Sequence, residues 1–129
     1  MSNPAEAYGK AAKNGPIDPR ELEASLLIKA ASQLQRIREN WEPNHSELDP
    51  ALTYNRKLWT VFAATACETE HPLPREIKQN IANLALFIFK QTAAIQASPA
   101  PEKLDSLINI NRQIAAGLYQ KPANAPSPA

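Results

Sequence analysis

Four stretches of the chain repeat apolar side chains at three- and four-residue steps, and prolines stand between them. That spacing gathers side chains on one face of a helix. The first stretch sets Leu22, Leu26, Ala30, Leu34, Ile37 and Trp41 in one stripe, widened by Leu27 and Ala31. Lys29, Gln33, Arg36 and Glu39 take the other faces, and Pro43 ends the run. Its opening, Asp18-Pro19-Arg20-Glu21, puts an acid at the N-cap, proline at the first helical position and glutamate at the third. Such a box satisfies two backbone N–H groups that the helix itself leaves unpaired.

Asp49-Pro50 repeats the start signal for a second helix, whose stripe is Leu52, Asn55, Trp59, Phe62 and Ala66, flanked by Leu58 and Ala63. Asn55 is the polar member of an otherwise apolar line. Glu70-His71-Pro72-Leu73-Pro74 interrupts, because residues before proline avoid the helical conformation. A third helix is predicted from Pro74 toward Ala97, with Ile77, Ile81, Leu84, Ala85, Ile88, Thr92 and Ile95 on its main face. Ala82, Leu86, Phe87 and Phe89 put apolar groups elsewhere around it, so this helix is either central in the bundle or keeps a face for a partner. After Ser98-Pro99-Ala100-Pro101 the fourth stripe is Leu104, Leu107, Ile108, Asn111, Ile114, Ala115 and Leu118, closed by Lys121-Pro122.

The pattern therefore predicts an all-α single domain, a small bundle of about four helices with disordered Pro-rich ends. Residues 1–15 form a flexible N-terminal segment, 16–121 the helical domain and 122–129 a disordered C-terminal tail. Composition agrees. Leu, Ile, Val and Phe together make 27 of 129 residues, a thin core, while 22 alanines and abundant Leu, Gln, Glu, Lys and Arg favour helix. One valine leaves little suited to a pleated sheet.

Charge and chemistry narrow the function. A net charge of +1 lacks the basic surplus that nucleic-acid phosphates demand. The apolar runs are too short to span a bilayer, and Met1–Pro16 has no apolar signal segment, so the chain is expected in the cytoplasm. The single Cys67 excludes an internal disulfide and reads as a buried, inert thiol. His45 and His71 belong to no zinc or nucleophile motif, and three glycines build no phosphate cradle. Glu68, Glu70 and His71 are close enough in sequence to share a metal, but such clusters at helix ends are ordinarily just solvated. Asn44-His45-Ser46 matches a glycosylation sequon by chance in a chain without a secretory route. No enzyme, metal or cofactor is expected.

What remains are polar groups in or beside the apolar stripes: Tyr54-Asn55-Arg56-Lys57-Leu58-Trp59 and Ile108-Asn109-Ile110-Asn111-Arg112. In one reading Asn55 and Asn111 hydrogen-bond across the bundle, since a buried amide left unpaired costs about 1–3 kcal/mol. In the other, Asn55, Arg56, Trp59, Asn109 and Arg112, with Phe87 of the third helix, form a partner-binding surface, because Trp and Arg are enriched at binding hot spots. The internal reading carries more weight for the asparagines, the interface reading for Arg56 and Arg112. Trp41 and Trp59, in phase with the stripes, read first as core.

An ordered set of segments also resembles a family. Tyr8-Gly9, Asp18-Pro19-Arg20-Glu21-Leu22-Glu23, Asn55-Arg56-Lys57-Leu58-Trp59-Thr60, Leu73-Pro74, the apolar helix Ile81 to Phe89, and Leu107-Ile108-Asn109-Ile110-Asn111-Arg112 with Gly117-Leu118 follow one another. This is similar to FlaF, the flagellar biosynthesis regulator of alphaproteobacteria, over about residues 8–119. The resemblance implies a helical cytosolic protein that binds flagellin in a chaperone-like manner and promotes its synthesis or export, alongside the co-regulator FlbT. A helical surface that receives an amphipathic segment is a known recognition mode, here expected as an apolar groove bordered by Arg56 and Arg112. The alternative is a post-transcriptional regulator acting directly on flagellin mRNA, which the charge balance disfavours.

Overall fold

The computed structural model describes residues 18–68 and 73–119. The segments read above as flexible ends, Tyr8-Gly9 and the Glu70-His71-Pro72 turn lie outside them. Four long helices are present, α1 (Pro19–Glu39), α2 (Leu48–Ala66), α3 (Arg75–Ala97) and α4 (Asp105–Tyr119), and no strand occurs among the described residues. Asp18 caps α1 as its sequence predicts, its side chain accepting from the Arg20 N–H at 2.9 Å with Pro19 in the first turn.

Two boundaries differ from the sequence reading. Trp41 does not extend α1, which stops at Asn40; the Asn40 N–H still bonds the Arg36 carbonyl, and a separate single turn, Trp41–Asn44, follows. The Pro43–Pro50 connection is thus helical in short pieces, with a 3₁₀ turn at His45–Glu47 and stacking of the Trp41 and His45 rings at 5.4 Å. Asp49 does not cap α2 either. The helix begins at Leu48 without a side-chain cap, so Asp49 and Pro50 both sit in its first turn. Proline is tolerated there because those N–H groups have no intrahelical acceptor.

The helices run up-down-up-down. Lys78 Nζ donates to the Glu68 carbonyl and Cys67 Sγ lies 3.7 Å from the Lys78 carbonyl, joining the end of α2 to the start of α3. Between α3 and α4, Lys103 Nζ donates to the Ser98 carbonyl at 2.6 Å and Gln91 Nε2 to the Lys103 carbonyl at 3.1 Å. The Arg38 guanidinium grips both oxygens of Asp105, tying the last turn of α1 to the first turn of α4. Each charge suits the helix end it occupies.

The central helix is α1. It packs most extensively on α4, then on α2, and also covers the 3₁₀ turn Pro101–Leu104. Ala24, Leu26, Leu27, Ala30, Ala31, Leu34 and Ile37 are all buried, a face much wider than one stripe. The same buried core holds Trp59 and Phe62 of α2, which meet edge to face at 5.2 Å, Leu104 of the 3₁₀ turn, and Leu107 and Ile108 of α4. By contrast α3 packs chiefly on α2 and only lightly on α4. Of the two positions its greasy circumference allowed, it takes the outer one.

Candidate functional site

Three features stand out from an ordinary bundle core: a buried polar junction, a buried carboxyl and an apolar outer surface.

The junction joins α1, α2 and α4. Asn111 Oδ1 accepts from the Trp59 indole N–H at 2.8 Å, while its amide nitrogen donates to Asn55 Oδ1 at 2.7 Å and reaches the Leu27 carbonyl at 3.4 Å. Asn55, Trp59 and Asn111 are wholly buried. The internal reading of the two asparagines is therefore the one realised. Asn55 and Trp59 are core and not surface contacts for a partner: their phase along α2 points both side chains at α4, where each bonds Asn111. Asn55 Nδ2 alone is left without a partner.

The carboxyl is Glu23, only 1% exposed, with Oε1 unpaired. Burial lifts its pKa from 4.5 to about 7, opposed by Arg20 and aided by Asp18. Its burial goes unread in the sequence, although the signal is there. Glu23, Leu27, Ala30 and Leu34 follow steps of four, three and four, which places Glu23 in line with the buried face of α1.

The outer surface belongs to α3. Ile81, Ala85, Ile88, Thr92 and Ile95 face inward, whereas Leu86 is 60% and Phe87 42% exposed. Ile77, expected on the inward stripe, is 42% exposed as well, because it lies in the first turn of α3 beyond close cover. Leu84 and Phe89 are half-buried against the core at the margins of the strip. Asn83, Lys90, Ala93 and Ala94 share the exposed side.

Phe87 is thus the candidate contact that the structure leaves open, together with Arg56, Asn109 and Arg112, which are exposed on α2 and α4. No side-chain hydrogen bond or ion pair among the described residues links those three to one another or to α3. Cys67 corrects another expectation: at the C-terminal cap of α2 it is exposed, not buried, since the apolar stripe of that helix ends with Ala66. No group of three metal-ligating side chains exists among the described residues, and no helix there is long and apolar enough to cross a membrane. Of the metal trio considered above, Glu70 and His71 lie outside the described residues.

Residues 4–118 match the family model described as Flagellar protein FlaF. No curated protein and no solved structure matches the chain.

Proposed function

The chain belongs to the FlaF family of flagellar proteins, and from that premise we propose that it is a non-enzymatic regulator that binds flagellin in a chaperone-like manner. By holding flagellin before assembly it promotes flagellin synthesis or export, and it does so in the cytoplasm. The observation that carries this reading is the placement of α3 at the margin of the bundle with Leu86 and Phe87 outside. A helix in that position ordinarily turns polar residues to water. Two large apolar side chains held there offer area for another polypeptide, and unassembled chain segments with apolar faces need such cover. Arg56 and Arg112, exposed and free of the core, are suited to contacts at the rim.

The test is direct. Purified protein and unassembled flagellin are mixed and resolved by size-exclusion chromatography, with affinity measured by calorimetry. A stoichiometric complex at micromolar concentration is the expected result. Separate elution and no heat of binding at that concentration would overturn the reading.

A further inference from the structure

Resting on the reading that the protein holds flagellin, we propose that the docking strip is the outer face of α3 and that its occupant is an amphipathic α-helix carrying an acidic side chain opposite Lys90. The strip is fixed by phase. Lys90 lies four residues after Leu86 and three after Phe87, so the ammonium stem and both apolar side chains are neighbours on one exposed side of the helix. Ala93 and Ala94 continue that side for another turn with little bulk, leaving shallow ground where larger side chains of a partner can settle.

The form of the occupant follows from the backbone. Within α3 the N–H and C=O groups are spent on the helix itself, so the strip offers no ladder for an extended peptide. A helical segment satisfies its own backbone hydrogen bonds while presenting a continuous apolar face, which suits a strip that offers none.

The charge of the occupant follows from the sequence. After Glu76 no acidic residue occurs until Glu102, so every formal charge on the strip is positive. Lys90 has no ion-pair partner among the described residues. A second copy of this chain presenting the same face would bring a lysine and no acid to meet it. An acidic amphipathic helix meets it with complementary charge, which sets the register of docking and speeds encounter.

The experiment uses the full chain with unassembled flagellin, and compares wild type with Phe87→Ser, Leu86→Ser and Lys90→Glu, each first shown to keep the wild-type circular dichroism and denaturation midpoint. Loss of affinity by roughly tenfold or more for Phe87→Ser or Leu86→Ser is expected, as for other apolar anchors. Lys90→Glu is expected to weaken binding and to reverse its dependence on salt, since wild-type binding loosens as salt screens the pair. Wild-type binding with all three variants unimpaired would overturn the strip while leaving the flagellin reading intact. Absence of wild-type binding would overturn both. A wild-type homodimer abolished by the same substitutions would overturn the assigned occupant in favour of a second copy.

Discussion

The indole N–H of Trp59 on α2 donates to the Asn111 side-chain oxygen on α4 at 2.8 Å, with both residues wholly out of contact with water. Asn111 also donates to Asn55 and to the backbone of Leu27, so one amide holds three helices in register. Nonpolar side chains alone tolerate sliding by a helical step; this junction does not, because a slip strands several polar groups at once.

Asn111 and Asn55 are not equivalent, and their substitution separates them. Asn111→Leu strips partners from the Trp59 N–H, the Asn55 oxygen and the Leu27 carbonyl, and is expected to cost about 2–4 kcal/mol. Asn55→Leu removes one acceptor, frees the chain of an amide nitrogen that has no partner, and leaves Asn111 its contact with Leu27. Its cost should be clearly smaller. Urea denaturation at an unchanged m-value measures both. Equal losses would show that the junction does not centre on Asn111.

Glu23 makes stability depend on pH with a definite sign. Burial raises its pKa from 4.5 to about 7 in the folded chain, so between those values the folded state holds a proton that the unfolded state has released. Stability therefore declines as pH rises through that window and then levels off, the full change from this group being on the order of 3 kcal/mol. Glu23→Gln keeps the shape and cannot ionise. The difference in unfolding free energy between variant and wild type should be small at the acidic edge of the window and favour the variant above its upper edge. A difference independent of pH would show that the carboxylate finds a partner or water in the folded chain.

The contrast between these residues explains how much the sequence discloses. Proline spacing and apolar phase locate all four helices, and Asp18-Pro19 marks the start of α1, because these signals act within a few residues along the backbone. Burial is decided by what covers a face, which phase alone does not specify. Asn55 and Arg56 are adjacent in sequence, yet one meets Asn111 and the other water. The outward side of α3 was legible as excess apolar surface; that α1 and not α3 holds the centre shows only in the structure, where Ala24, Ala30 and Ala31 of α1 are enclosed while Ala93 and Ala94 of α3 are exposed. Asp49 does not start α2, because the 3₁₀ turn before it already carries the chain into helical geometry at Leu48.

Cys67 provides a check on the end of α2. An exposed thiol reacts as fast as its thiolate fraction allows, with no unfolding step in the way. A thiol-specific reagent such as dithionitrobenzoate should therefore modify one thiol per chain in the native protein without denaturant. Protection that only denaturant removes would mean that the stripe of α2 extends one residue past Ala66.

Leu86 and Ile88 stand two residues apart on α3 and face opposite ways, the first mostly in water and the second wholly enclosed. Ile88→Ala opens a cavity in the core and is expected to cost about 2–4 kcal/mol. Leu86→Ser removes apolar surface that folding leaves mostly in water, so its effect on stability should stay within about 0.5 kcal/mol. The pair measures in the isolated protein whether the outer side of α3 is truly uncovered. A large loss from Leu86→Ser would mean that some part of the chain already lies over it, and the surface would then be core and not a place for a partner.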